Sequence, residues 1–149
     1  AGSIGIMGAI QDGVLDHGGK AIGVMPKMLD EHEITSQRLT ELILVDSMHE
    51  RKNKMAELAD AFVMAPGGAG SLEEFFEMYS WAQIGIHEKP IAIYNINGFF
   101  NPLQTMIDHM IEEGFIDPKY RALAPLCDTK ESLIESILNF KPLGTRSYD

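Results

Sequence analysis

The sequence contains one cysteine, Cys127, which excludes an internal disulfide and a metal site built from several cysteines. It has no apolar run near the roughly 18 residues of a membrane span, and no signal-peptide pattern opens it. Positive charge is scarce, because 12 Lys and Arg stand against 22 Asp and Glu, giving a formal net charge of -10. Nucleic-acid surfaces need clustered cations, so these absences predict a cytoplasmic protein that binds neither nucleic acid nor membrane.

Several common catalytic patterns are also absent. The five histidines show no metal-ligand spacing, and no Gly-x-Ser-x-Gly elbow of a serine hydrolase occurs. The glycine-rich stretch 66–71 lacks the lysine of a nucleoside-triphosphate-binding loop. The sequence therefore predicts no metal, no cofactor and no triphosphate hydrolysis.

Short apolar runs alternate with helical patterns along the 149 residues, which fit a single domain over residues 1–149. Continuous apolar strands joined by helices indicate parallel strands covered on both faces, an α/β doubly wound sheet with its ligand at the carboxyl edge. The predicted strands are 21–25, 41–45, 61–65, 91–96 and 124–127, and the predicted helices are 6–17, 48–59, 71–84, 101–113 and 129–140.

The first residues resemble the middle of a fold. Residues 1–8 (AGSIGIMG) form a glycine-rich loop that enters a helix, and a strand normally precedes such a loop. We therefore expect that an N-terminal strand and helix are missing from this sequence.

A second glycine-rich turn is the strongest functional signal. The apolar run 61–65 leads into PGGAGS at 66–71 and directly into a helical pattern. Backbone N–H groups at such a helix start bind anions, above all phosphate, because the helix dipole points the same way. Gly68, Gly70 and Ser71 are the candidate donors.

Two carboxylates, Glu73 and Glu74, are predicted in the first turn of that helix. Acids are favoured there by the dipole alone, so this position is compatible with either a catalytic or a purely structural role. Arg51 and Lys52 near the start of the preceding helix oppose its dipole, which indicates an anionic ligand or acid nearby, or else a solvated face.

Together these residues resemble the paired signature of the LONELY GUY (LOG) family of cytokinin riboside 5′-monophosphate phosphoribohydrolases. The family pattern is PGGxGTxxE with an upstream ERK, matched here by PGGAGSLEE at 66–74 and MHERK at 48–52. The stretch 81–90 and the glycine-containing stretches 5–8 and 18–26 are similar as well. Proteins of this kind often carry a lysine decarboxylase label, but this sequence shows no pyridoxal-phosphate lysine site.

The resemblance implies a Rossmann-like fold, a homodimer, and hydrolysis of the N-glycosidic bond of an adenosine 5′-monophosphate, often N6-substituted. It implies that Arg51 and Glu74 are the catalytic residues. Ser71 replaces the usual threonine and keeps its hydroxyl. The implied substrate-binding residues are Met48, Lys52, Gly67, Gly68, Gly70, Ser71 and Glu73.

Cleavage of a ribosyl–base bond develops positive charge on the sugar, which a carboxylate such as Glu74 can stabilise. Three alternatives stay open. The first is a nucleosidase that ignores the N6 group, the second is a carrier of nucleotide or molybdenum cofactor, or a sensor, with the same fold, and the third is an inactive structural subunit. A carrier needs the anion-binding loop but not the pair of Arg51 and Glu74.

Overall fold

A computed structural model describes residues 5–30 and 38–144. It divides into two compact units, Ala1–Ala59 and Asp60–Asp149. The glycine-rich loop predicted at 1–8 lies partly outside the described residues. The single-domain organisation stays a prediction.

In the first unit, residues 5–30 and 38–59 contain a pair of parallel strands and three helices. Strand β1 pairs with β2, with Ile22 opposite Glu41 and Pro26 opposite Val45. Most of β1 is buried, whereas Leu42 and Leu44 of β2 are exposed. The elements in chain order are α1 (Gly5–Asp16), β1 (Ile22–Pro26), α2 (Lys27–Asp30), β2 (Glu41–Val45) and α3 (Met48–Leu58).

Helix α1 stops at two glycines, as the sequence predicts. Gly18 adopts a left-handed φ of 78°, and the N–H of Gly19 donates to the carbonyl of Val14 at 2.8 Å. A Cβ at Gly19 would lie 2.7 Å from Val14 Cγ1, so only glycine fits this close approach.

The second unit contains a three-stranded parallel sheet in the order β3–β4–β5. Met64 of β3 lies opposite Ile93 of β4, and Tyr94 of β4 lies opposite Cys127 of β5. The elements in chain order are β3 (Phe62–Met64), α4 (Ala69–Gln83), β4 (Ile91–Tyr94), a 3₁₀ turn (Ile96–Gly98), α5 (Asn101–Glu112), a 3₁₀ turn (Pro118–Leu123), β5 (Leu126–Cys127) and α6 (Lys130–Leu138).

The core of this unit lies around β4 and one face of α4. Ala92 and Ile93 are fully buried, and the ring of Phe75 stacks on Tyr79 at 5.6 Å. The Tyr79 hydroxyl donates to the carbonyl of Tyr120 at 3.0 Å, and burial raises the pKa of Tyr79. Helix α4 is therefore fixed to the rest of its unit by both apolar packing and a buried hydrogen bond.

The prediction of an α/β fold with parallel strands flanked by helices is confirmed. Strand 41–45 has the predicted bounds, and the first strand has the predicted length but lies one residue later, at Ile22–Pro26. The three strands of the second unit are shorter than predicted. The two 3₁₀ turns and the short helix Lys27–Asp30 were not predicted from the sequence. Asp117 explains the second 3₁₀ turn, because its side chain accepts from the N–H of Lys119 ahead of Pro118.

His87, in the turn after α4, is held as a neutral imidazole. The N–H of Lys89 donates to Nδ1 at 3.1 Å, so the ring proton is on Nε2, 2.9 Å from the carbonyl of Met78. Burial, with a smaller effect of the Lys89 charge, lowers the pKa of His87 below 6.5 despite the opposing bond to Met78. Protonation of His87 would add an N–H at Nδ1, and this N–H would face the backbone N–H of Lys89, so their hydrogen bond would be lost.

We expect acid to destabilise the second unit through His87. A histidine whose folded pKa is depressed contributes stability that is complete above its unfolded pKa, about 6.5, and is lost as pH falls through the folded value. Urea unfolding across a pH series should show this loss in the wild type and a flatter profile in His87→Gln. His109→Gln, at an exposed position, is the control. Equal pH slopes for the wild type and His87→Gln would contradict the assignment.

Candidate functional site

The glycine turn places uncapped backbone amides at the start of α4. Strand β3 ends at Met64, and the N-cap is Gly68, whose extended backbone makes no side-chain cap hydrogen bond. The first backbone bond of the helix runs from the N–H of Leu72 to the carbonyl of Gly68 at 3.2 Å. The N–H groups of Ala69, Gly70 and Ser71 therefore belong to the first turn, where a helix offers donors to an anion.

The start of α4 corrects one prediction. The helix begins at Ala69 rather than at Ser71, and no acidic residue lies in its first turn. Glu73 and Glu74 therefore lie in the second turn, because Gly68 rather than a hydroxyl residue takes the N-cap position. Glu73 is exposed and Glu74 is half-buried. The helix dipole favours acidic residues mainly in the first turn, so it explains these two carboxylates in the second turn less well.

Ser71 closes one side of the turn. A Cβ at Gly67 would overlap the Ser71 hydroxyl, and it would lie 3.0 Å from Ser71 Cβ. Cβ atoms at Gly68 and Gly70 would meet no heavy atom within 4 Å. Glycine is therefore needed at position 67 to leave room for the Ser71 hydroxyl. Gly68 and Gly70 leave open space beside the backbone N–H groups of the first turn.

A side-chain cap forms the beginning of α3. The Ser47 side chain accepts from the N–H of Glu50 at 3.1 Å. The Glu50 carboxylate accepts from the N–H of Asp46 at 2.8 Å, one residue before the N-cap N–H that a standard capping box would use. Glu50 is thus occupied as a structural carboxylate.

Arg51 is buried, which rules out the solvated-face interpretation for this residue. It is 8% exposed, and it is the only buried residue in α3. Its Nε–H donates to the carbonyl of Val24 in β1 at 3.1 Å. This bond fixes the plane of the guanidinium group, and a planar guanidinium is the kind of group that pairs with a carboxylate or phosphate.

The neighbours of Arg51 differ from it in exposure. Lys52 is half-buried, and Met48 is 45% exposed at the first position of the helix. Lys54 forms an ion pair with Glu57 at 3.1 Å. Met48, Arg51 and Lys52 lie in the first unit, and the glycine turn with Glu73 and Glu74 lies in the second.

Sequence reasoning missed Asn95, which is 3% exposed at the carboxyl end of β4. Its Nδ2 donates to Asn101 Oδ1 at 2.9 Å and to Asp128 Oδ1 at 3.0 Å, and its Oδ1 accepts from the N–H of Phe100 at 2.7 Å. The three strands are parallel, so this residue lies at the same sheet edge as the glycine turn. A polar residue directly after a buried strand is the signal that could have identified it.

Within residues 5–30 and 38–144, no cluster of three or more His, Cys, Asp or Glu side chains could hold a metal ion. No helix in the same part of the chain is long and apolar enough to cross a membrane.

Comparison with known proteins gives one family and a consistent set of relatives. A family model described as "Possible lysine decarboxylase" matches residues 7–137. A "Probable cytokinin riboside 5′-monophosphate phosphoribohydrolase" of Oryza sativa subsp. japonica is 44% identical over 141 residues, which are 95% of this chain and 58% of the relative. A cytokinin riboside 5′-monophosphate phosphoribohydrolase of Arabidopsis thaliana is 41% identical over 143 residues, covering 96% of this chain and 63% of the relative. The chain thus spans about three fifths of the length of these curated relatives.

Proposed function

Since this chain belongs to the LOG family, whose model carries the lysine decarboxylase description, we propose that it hydrolyses the N-glycosidic bond of adenosine 5′-monophosphate nucleotides. The products are the free base and ribose 5-phosphate. The substrates are N6-substituted cytokinin nucleotides or AMP itself. The names of the curated relatives support this reaction over a carrier or sensor role.

The observation that carries the proposal is the relation between the anion-binding turn and a carboxylate on one helix. Ser71 and Glu74 are three residues apart in α4, so they share one face and are separated by about 4.5 Å along the axis. A phosphate held by the amides of the first turn therefore lies close to a half-buried carboxylate. A sugar attached to that phosphate would extend toward Glu74.

The chemistry follows from this placement. The bond between the ribose anomeric carbon and the base nitrogen breaks, and its electron pair leaves with the base. The sugar then resembles an oxocarbenium ion, which the Glu74 carboxylate stabilises. Water adds to the anomeric carbon, Glu74 accepts its proton, and the departing base gains one proton overall. Phosphate binding remote from the bond aligns the reacting carbon.

Arg51 is the second catalytic residue of the proposal. Its Nε–H bond to the carbonyl of Val24 sets the orientation of a planar, cationic guanidinium group. A cation of this kind keeps a neighbouring carboxylate ionised or neutralises the substrate phosphate. Met48, Lys52, Gly67, Gly68, Gly70, Ser71 and Glu73 complete the proposed substrate-binding set.

Incubation with AMP and with isopentenyladenosine 5′-monophosphate tests the proposal directly. Free base is measured by chromatography and ribose 5-phosphate by a reducing-sugar assay. Release of both products in equal amounts would support hydrolysis, and the two rates would rank the N6 preference. Nucleotide binding without release would instead favour the carrier or sensor.

Gly67→Ala is expected to weaken recognition of the 5′-phosphate. The new Cβ would displace the Ser71 hydroxyl, so one charge-assisted hydrogen bond is lost and KM for AMP should rise about tenfold. Cleavage of adenosine, which has no phosphate, should not change. Steady-state kinetics with both compounds measure the difference.

The matched control is Gly13→Ala in α1, where a Cβ meets no heavy atom within 4 Å. It should leave both KM values at the wild-type level. An unchanged KM for AMP in Gly67→Ala would show that the Ser71 hydroxyl does not contact the phosphate.

Assembly as a homodimer is a further part of the proposal. Ile6, Ile10 and Val14 of α1 are exposed at 40, 53 and 37% and recur at helical spacing, which supports an apolar contact with another chain. Light scattering should give twice the mass of one chain, and a monomeric mass would contradict it. A cytoplasmic location stays a prediction from the sequence.

A further inference from the structure

The turn between β4 and α5 is a rigid structure at the carboxyl edge of the sheet. Asn97 has a left-handed φ of 52°, and Gly98 follows with a φ of 71°. A Cβ at Gly98 would lie 2.7 Å from Asn101 Nδ2, so the backbone and the Asn101 side chain are in close contact. Left-handed residues in succession cost conformational free energy, and they persist where the surroundings hold them.

Asn95 holds this turn in place. All polar atoms of its side chain are hydrogen-bonded, to the N–H of Phe100, to Asn101 and to Asp128. The contact with Asp128 joins the turn after β4 to the turn after β5, 33 residues later in the chain. The buried amide therefore connects two neighbouring turns at one sheet edge.

Strand register places the glycine turn on the other side of Asn95. Met64 lies opposite Ile93, so Pro66 is level with Asn95 when the register is continued by two residues. Adjacent strands are about 4.8 Å apart, so the turn after β4 begins within a few ångströms of the glycine turn. A nucleotide bound there by its phosphate is long enough to reach this neighbouring turn.

The turn presents one large aromatic side chain to solvent. Phe99 is 52% exposed, and its ring meets the buried ring of Phe100 edge to face at 4.9 Å. Single exposed apolar residues are common on protein surfaces. Phe99 differs because its backbone is fixed by Asn95, Asn97 and Gly98, and because its ring rests against a core residue.

We propose that Phe99 packs against the purine base of the bound nucleotide, and that Asn95 is the positioning residue that holds Phe99 there. This inference rests on the proposed function, since it concerns the same substrate site. Aromatic rings recognise bases through their faces and edges, with little dependence on the exocyclic groups. We therefore expect Phe99 to contact the base of AMP and the base of N6-substituted nucleotides equally well.

Phe99→Ala should raise KM for AMP about tenfold with little change in kcat, as expected for the loss of one stacking contact. Phe99→Tyr, which keeps the ring, should retain the wild-type KM. Phe115→Ala is the matched control, because Phe115 is 82% exposed and lies after the far end of α5. Equal KM values for Phe99→Ala and the wild type would overturn the contact.

The positioning role of Asn95 is tested by charge exchange. Asn95→Asp sets a carboxylate against Asp128 and should raise KM about as much as Phe99→Ala does. Adding Asp128→Asn supplies an amide donor in return and should restore KM. In the Phe99→Ala background, Asn95→Asp should change KM no further, since its effect passes through Phe99. Independent effects of the two substitutions, or failure of the rescue in a folded double variant, would overturn this role.

Calorimetric titration of AMP separates this inference from the proposed reaction. Binding is measured in the Glu74→Gln variant, in which turnover does not interfere, with and without Phe99→Ala. Weaker AMP binding without Phe99, in a protein whose wild type releases no base, would support the contact and refute the hydrolysis. Base release with AMP affinity unaffected by Phe99 would refute the contact alone. A wild type that neither binds nor cleaves AMP would overturn both.

Discussion

Glu74→Gln should lower kcat for base release by about a thousandfold while the protein stays folded. Glutamine keeps the size of the side chain but has no negative charge to stabilise the sugar and no basic oxygen for the attacking water. Glu74 is half-buried on the second turn of α4, so its charge acts where water is partly excluded. Single-turnover chromatography of the released base measures the effect, because it reports the chemical step without product release.

The adjacent residue provides an internal comparison. Glu73 is exposed, and Glu73→Gln should change KM for AMP more than kcat. Glu131→Gln on α6, an exposed carboxylate whose side chain is 72% accessible, is the control that should leave both constants unchanged. If Glu74→Gln retained more than about a tenth of the wild-type kcat, the catalytic role would belong to another residue.

Arg51→Ala should affect both stability and catalysis. Removal of the guanidinium leaves the carbonyl of Val24 without this donor in a buried position, which should cost about 1–3 kcal/mol of the free energy of unfolding. Base release should fall by about a hundredfold or more, because the proposed site loses its fixed cation. Urea unfolding and steady-state kinetics on the same preparation separate the two effects.

Arg51→Lys distinguishes charge from geometry. Lysine keeps the positive charge but lacks the planar group whose Nε reaches Val24, so activity should stay well below the wild-type level. Lys52→Ala should raise KM with a smaller effect on kcat, and it should lower the free energy of unfolding less than Arg51→Ala does, since Lys52 is half-buried whereas Arg51 is buried. Full activity in Arg51→Lys would show that Arg51 contributes only its positive charge and not the geometry of its guanidinium group.

The strands could be predicted from the sequence because each is a short apolar run with a marked end. Pro90 precedes β4, and Asn95 ends it two residues before the predicted limit by turning the backbone toward Phe100. The pairing order β3–β4–β5 could not be predicted, because the sequence of an apolar parallel strand does not show which strands pair with it. Pairing depends on how the connecting helices pack, which is a property of the assembled unit.

The candidate site was predictable where its signals are local. Ser47 three residues before Glu50 is a cap pattern, and the glycines at 66–71 indicate a turn with free amides. The start of α4 was not predictable, because Ser71 resembles an N-cap by residue type whereas Gly68 carries no side-chain signal. The role of Asn95 depends on Asp128, a contact between residues far apart in the chain.

The parallel sheet of the second unit also constrains the order of folding. Phe62 pairs with Ile91 and Ile93 with Leu126, so each strand pair closes a loop of about thirty residues before any hydrogen bond between strands can form. The helices, whose contacts are local, can form earlier. During synthesis, β4 gains its second neighbour only when Leu126 has left the ribosome. Until then, one edge of the central strand is unpaired, and this open edge raises the risk of mispairing and aggregation.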